Sequence, residues 1–149
     1  MGEFSKEIKE KEKIIKLLLQ HPAINVNQLS KLKNQICTPL YVACRNGQIE
    51  AIKLLLQRDD IDINKPRNDG ATPLWTASKN DHYDAVKLLL GSGKHIDALK
   101  KTVAGNEERN DKTAAKIARL KGHNDIANLI EGFQQNPILW SKGLPFFFF

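Results

Sequence analysis

Asp69-Gly70-Ala71-Thr72-Pro73-Leu74-Trp75-Thr76-Ala77 is the stretch whose reading decides the fold. Asp-Gly is a tight-turn pair, because glycine accepts positive φ without steric cost. Thr72 carries an oxygen able to cap a helix. Pro73 then falls at the first helical position, where a missing N–H is no loss. Leu74 and Ala77 follow on one helical face. The stretch specifies a turn running into a helix, and it recurs. Thr38-Pro39-Leu40-Tyr41-Val42-Ala43 is an upstream copy, and Thr113-Ala114-Ala115-Lys116-Ile117-Ala118 is an eroded downstream one.

A second apolar run follows each of the two full copies: Ile49-Glu50-Ala51-Ile52-Lys53-Leu54-Leu55-Leu56, then Tyr83-Asp84-Ala85-Val86-Lys87-Leu88-Leu89-Leu90. Thr38 to Thr72 and Leu56 to Leu90 are both spaced by 34 residues. A period near 33 headed by Thr-Pro-Leu predicts a helix–turn–helix solenoid. On Gly70, Thr72, Pro73, Leu74, Ala77, Val86, Leu89, Leu90 and Gly93, and on their counterparts from Thr38 to Leu56, the chain resembles the ankyrin-repeat family. The resemblance implies an all-α stack of helix pairs with projecting β-hairpin fingers and no central sheet. Tyr41 and Trp75 stand where that family usually carries His.

The resemblance covers residues 6–132 and divides them. Residues 1–5 are a lead-in. Residues 6–34 are a half repeat, in which Ile14 to Gln20 aligns with Ala51 to Gln57 and no Thr-Pro-Leu head precedes the helix. Residues 35–68 and 69–109 are complete repeats, the latter with an extended finger, and residues 110–132 are a capping repeat. Residues 133–149 form an apolar, irregular tail, for which a strap over the last repeat and a disordered end remain alternatives. Leu17, Leu18, Ile52, Leu55, Val86, Leu89, Ile126 and Ile130 are expected to be buried in one elongated core.

Composition narrows the class. The 149 residues are 41% hydrophobic and 27% charged, values of a folded domain rather than a disordered chain. The formal net charge of +6 permits attraction to acidic partners without demanding nucleic acid. Two cysteines imply no disulfide framework. Cys44 reads as a small packing residue, and Cys37, in a turn, is expected to be partly exposed. The absence of Asn-x-Ser/Thr sites and of a hydrophobic leader agrees with an intracellular, cytoplasmic setting, with a nucleus or a host cell left open. The tail is too interrupted to span a membrane as a helix.

Candidate chemistry fails on spacing. Asp60-Ile61-Asp62-Ile63-Asn64 opens like a calcium loop, but Lys65 and Ala71 occupy the positions that need Gly and Glu. It reads instead as a finger strand. Gly91-Ser92-Gly93-Lys94 lacks the earlier glycine and the following Ser or Thr of a phosphate loop, and it follows a helix. It reads as a helix-ending turn. No His pairs with Cys at zinc spacing. No catalytic residue, metal or cofactor is therefore assigned.

Ankyrin repeats bind other proteins through finger tips and the inner face of the first helices. Carried over by position, the resemblance implies a partner-binding surface of Asn34, Gln35, Arg45 and Asn46 in one repeat and of Asn68, Asp69, Ala71, Lys79 and Asn80 in the next. Arg109, Asn110 and Lys121 continue it. Tyr41 and Trp75 either pack between fingers or anchor the partner. The rival reading is a basic surface for nucleic acid or another acidic surface, made by Lys31, Lys33, Lys65, Arg67, Lys100 and Lys101. No aromatic-interleaved stripe accompanies those residues.

Overall fold

The computed structural model describes residues 2–32, 35–103 and 110–141. Helix α1 (Gly2–Gln20) leads to a hairpin of β1 (Ser30–Leu32) and β2 (Gln35–Cys37). Then come α2 (Pro39–Arg45) and α3 (Ile49–Leu56), α4 (Pro73–Lys79) and α5 (Tyr83–Leu90), α6 (Ala114–Leu120) and α7 (Asn124–Gln135), and the short α8 (Pro137–Ser141). First helices stack on first helices (α2 on α4, α4 on α6), and second helices on second helices (α3 on α5, α5 on α7). Within each pair the two helices pack on one another. The result is the expected two-layer helical solenoid. Its sole sheet among the described residues is the β1–β2 hairpin, antiparallel in the register Ser30↔Cys37, Lys31↔Ile36, Leu32↔Gln35.

The Thr-Pro heads do the local work anticipated. Thr38 and Thr72 sit in extended backbone, and each side-chain oxygen accepts the N–H three residues on, from Tyr41 at 3.2 Å and from Trp75 at 3.1 Å. The eroded third copy keeps its cap, with Thr113 accepting from Lys116 at 3.3 Å, although it has lost the proline. Leu40, Leu74 and Ile117 on first helices, with Ile52, Val86, Leu89, Ile126 and Ile130 on second helices, are fully enclosed. Each such side chain contributes about 1.5–3 kcal/mol of burial.

Hydrogen bonds tie repeat to repeat. Asn27 donates to the Asp60 carbonyl at 2.7 Å and accepts from the Asp62 N–H at 2.7 Å. Asn64 repeats the pattern one step along, donating to His95 O at 2.8 Å and accepting from Asp97 N at 2.8 Å. Residues 61–64 are thus a turn in an inter-repeat ladder and not a strand. Among the described residues, strand pairing is confined to the first finger. The second finger is a turn closed by Arg67 N–H to Ala71 O at 2.8 Å and Gly70 N–H to Arg67 O at 2.9 Å. The third closes through Thr102 N–H to Lys112 O at 3.3 Å and Asp111 N–H to Thr102 O at 3.0 Å. Val103 N–H also donates to Asp69 O at 3.0 Å, which joins the second and third fingers. Gly70 is required there: its φ is +82°, and a Cβ would stand 3.1 Å from Val103 N.

Several expectations need correction. Leu17 and Leu18 are exposed, because α1 packs chiefly on α3, which leaves the rest of its apolar side uncovered. Cys37 is buried, not partly exposed: it ends β2, with its thiol 4.0 Å from the Ser30 carbonyl across the hairpin. The tail, up to Ser141, is a strap. Helix α7 runs on to Gln135, and α8 returns so that Trp140 meets the buried Phe133 edge to face, centroids 5.8 Å apart. Residues 142–149 lie outside the described residues. Gly91 caps α5, and Gly93 carries the positive φ of the turn after it, as the helix-ending reading requires. No described helix is long and apolar enough to cross a membrane.

Candidate functional site

The candidate surface begins at the C-terminal turns of the first helices. Arg45 and Asn46 end α2, Lys79 and Asn80 end α4, and Lys121 follows α6. Arg45, Asn46, Asn80 and Lys121 are exposed, and Lys79 is half-buried. The backbone beneath them is pinned. Asn80 Nδ2 donates to Arg45 O at 3.3 Å, and His82 Nε2 lies 3.0 Å from the same oxygen. His123 Nε2 lies 3.1 Å from Lys79 O. A carbonyl can only accept, so the ring nitrogen carries the proton in both contacts. These imidazoles therefore act as rivets between repeats. The signal for His82 was its place after Asp81, the counterpart of Gly122-His123 one repeat later.

The rivets also explain the left-handed residue that each ring packs against. Gly47 has φ +64°, and a Cβ there would fall 2.6 Å from His82 Nδ1. Asp81 holds the same left-handed conformation at the next junction, φ 61°, with its carboxylate 3.3 Å from His123 Nδ1. An Asp tolerates this backbone better than most residues do.

On the fingers the candidates separate. Asn68 and Asn110 are exposed, and Asp69 is half-buried. Gln35 lies on β2 opposite Leu32. Asn34 and Arg109 lie outside the described residues. Tyr41, Ala71 and Trp75 are buried and leave the candidate surface. The cause is the stack itself. Tyr41 lies beneath the Arg67 guanidinium, 5.6 Å from its ring centroid, and Lys79 Nζ lies 5.6 Å from the centroid of Trp75. Tyr41 thus reaches the neighbouring repeat, where it hydrogen-bonds Thr76, and Trp75 is covered by Lys79 of its own helix. The Trp75 indole N–H is enclosed with no hydrogen-bond partner among the described residues, an unsatisfied donor that costs stability.

Arg67, one of the basic candidates, is buried with Asp69. Its Nε donates to Asp69 Oδ1 at 2.9 Å, and Nη2 pairs with Oδ2. Burial pushes the Asp69 carboxyl up, but the Arg67 guanidinium and the Ala71 N–H together hold it below the usual carboxylate range. Burial pushes the Tyr41 phenol up, opposed by its hydrogen bond to Thr76. Lys101 is committed to Asp111 at 2.9 Å. Lys31 is exposed, Lys65 and Lys100 are partly so, and Lys33 lies outside the described residues. The basic finger surface thus loses Arg67 to the interior and has Lys101 paired.

Two cations were missed from the sequence. Lys112 is half-buried at the base of the third finger, with Nζ donating to Asn110 O at 3.0 Å. Lys116 is exposed at the motif position held by Tyr41 and Trp75. The motif alignment contained the signal for Lys116, since a lysine at a ring position means that no ring is needed there.

Burial pushes the Cys44 thiol well above its ordinary range, so it stays protonated and packs as an apolar group. Among the described residues no three His, Cys, Asp or Glu side chains gather in a way that could hold a metal. In comparison with known proteins, residues 6–100 match the family model described as ankyrin repeats, in three copies. No curated protein matches the chain.

Proposed function

Because the chain belongs to the ankyrin-repeat family, whose members are in general protein–protein interaction modules, we propose that it binds a partner protein across the fingers and the exposed turns of its first helices, without performing chemistry. The proposed contacts are Arg45, Asn46, Asn68, Asn80, Asn110 and Lys121, with Lys79 and Asp69 at the edge. Asn34, Gln35 and Arg109 complete the surface by position. One observation carries the reading: exposed long polar side chains stand on backbone that the His82, His123 and Asn80 bonds already hold in place. A rigid platform loses little order on binding, so more of each contact is realised as affinity. An intracellular, cytoplasmic setting is part of the proposal and agrees with two buried, free cysteines.

The test is a partner captured from the source cell and then titrated against variants. Arg45→Ala and Asn46→Ala are expected to weaken binding, each by about 0.5–2 kcal/mol, with little change in melting temperature. Lys53→Glu and Lys87→Glu, on the second-helix layer, are expected to leave it intact. The reverse pattern would move the interface to the other layer.

A further inference from the structure

Two clefts lie along the second-helix layer. The first, between α3 and α5, has a volume of ≈ 460 Å³ and is lined by Ile49, Lys53, Asp84, Lys87, Leu88 and Gly91. The second, between α5 and α7, has a volume of ≈ 370 Å³; Tyr83, Asp125, Asn128, Leu129 and Gly132 line it, together with Trp140 of α8. They are one cleft repeated. Ile49 stands 34 residues before Tyr83, and Asp84, Lys87, Leu88 and Gly91 stand 41 residues before Asp125, Asn128, Leu129 and Gly132. Their differences are therefore substitutions on a common frame.

Four differences matter. An aliphatic residue, Ile49, is replaced by an aromatic ring, Tyr83. A lysine, Lys87, is replaced by an amide, Asn128. Lys87 is itself the counterpart of Lys53, yet it lines the first cleft and not the second. Trp140, held edge to face by Phe133, adds a wall that the first cleft lacks. The shared glycine also acts differently. Gly91 ends α5, whereas α7 runs past Gly132 to Gln135. Gly132 thus leaves the side of a helix bare, and a Cβ there would meet nothing within 4 Å. Among the described residues Asp125 is the single charged group lining the second cleft, and no salt bridge engages it. Arg119 reaches Asn128 Oδ1 at 2.9 Å, but its charge is met by Glu131 at 2.6 Å.

We infer that the second cleft takes an arginine side chain presented by a partner protein. The site lies on the second-helix layer, apart from the finger surface, and stands or falls independently of it. The molecule already holds one arginine in this way. Arg67 lies over the Tyr41 ring, 5.6 Å from its centroid, and forks onto the Asp69 carboxylate. Tyr83 and Asp125 offer the same two groups to the outside, and both are exposed. A guanidinium is weakly hydrated, stacks on aromatic faces and bonds a carboxylate through two N–H groups. Asp125 and Gly132 are seven residues apart, about 10 Å along the helix axis. A long side chain spans that interval with its aliphatic stem over Leu129 and Gly132, and a compact ammonium group does not. The N-terminal half-charges of α5 and α7 oppose a cation at this end. Asp84 and Asp125, one in each first turn, offset them.

The experiment is an NMR titration of the isotopically labelled whole chain with three capped peptides. One is Gly-Ser-Arg-Ser-Gly, and the others carry Lys or the neutral isostere citrulline in place of Arg. The proteins are the wild type, Asp125→Asn, Tyr83→Ile and, as the control in the first cleft, Asp84→Asn. The amide spectrum of each confirms its fold. The inference expects the Arg peptide to shift the amides of Tyr83 and Gly132 and the Trp140 indole N–H. It expects affinity at least about threefold above that of either other peptide. That advantage should vanish in Asp125→Asn, weaken in Tyr83→Ile, which installs the residue of the first cleft, and survive in Asp84→Asn. Equal binding of the citrulline peptide overturns the cationic occupant, and equal binding of the Lys peptide overturns arginine. Undiminished binding by Asp125→Asn, or shifts confined to the first helices and fingers, overturns the site. Absence of shifts overturns the inference as well; if truncation after Ser141 then restores them, the occupant is the chain's own residues 142–149.

Discussion

Leu18 on α1 and Ile130 on α7 occupy the same place in the repeat, in register with Leu55 and Leu89. Leu55, Leu89 and Ile130 are buried, Ile130 completely, while Leu18 is 53% exposed. One step away, Ile52 and Val86 are fully buried while Ile15 is exposed. The side chains at the two ends are equally apolar, so the difference belongs to their neighbours. Helix α7 lies between α6, α5 and α8, whereas α1 rests chiefly on α3. Repeat stability is close to a sum of such interfaces. An amphipathic helix at an end with one interface buries only what that interface covers. At that end Arg58 takes over as a clamp: its guanidinium donates to the carbonyls of Leu19 at 2.6 Å, His21 at 3.1 Å and Ile24 at 3.3 Å while held by Asp60 at 2.9 Å.

The largest expected effect tests this contrast directly. Leu89→Ala or Ile130→Ala should lower stability by about 2–5 kcal/mol, through lost burial plus a cavity. Leu18→Ala should change it by no more than about 0.5 kcal/mol. Urea unfolding midpoints decide, and an equally large loss for Leu18→Ala would mean that the α1 face is covered in solution. Two left-handed glycines, Gly47 and Gly122, sharpen the comparison next. Gly122→Ala meets open space and pays only for φ +82°, about 1–2 kcal/mol. Gly47→Ala pays a similar backbone cost and also strikes the His82 ring, which cannot yield without giving up its bond to Arg45 O. The thermal midpoint should therefore fall further for Gly47→Ala than for Gly122→Ala.

Removing the clamp should act locally. Arg58→Ala is expected to speed amide hydrogen exchange along α1 severalfold while α5 to α7 keep their protection. Uniform acceleration would show that α1 is not a separately held end. Acid is the gentlest probe. Asp69 and Glu131 both titrate below their ordinary ranges in the folded chain, Glu131 because of its hydrogen bond to Arg119. Their stabilisation is therefore present above the unfolded carboxylate range near pH 4 and is lost as pH falls through the lower folded values. Asp69→Asn should flatten the acid limb of a stability–pH curve more than Glu131→Gln. The Arg67–Asp69 pair is mostly buried, whereas the Arg119–Glu131 pair is solvated and screened.

Most of the fold was legible in local chemistry. Thr38, Thr72 and Thr113 cap because a hydroxyl three residues before a free N–H is a short-range fact, true of any chain that turns there. Less of the candidate site was legible. Arg45, Asn46, Asn80 and Lys121 could be placed by position in the motif. Nothing in the letters distinguishes an exposed Lys79 from one resting on the face of Trp75, or a finger Arg67 from a buried one.

What the sequence by itself determined is the repeat: its period, its caps, its glycine turns and which helices are amphipathic, since these depend on residues a few positions apart. Tertiary structure alone decided which copies of the pattern are enclosed. It buried Tyr41 and Trp75, paired Arg67 with Asp69, left Leu17 and Leu18 exposed and folded Trp140 back onto Phe133. Burial is a property of what lies opposite a side chain. In a stacked array, what lies opposite comes from a repeat some 34 residues away, or from no repeat at all.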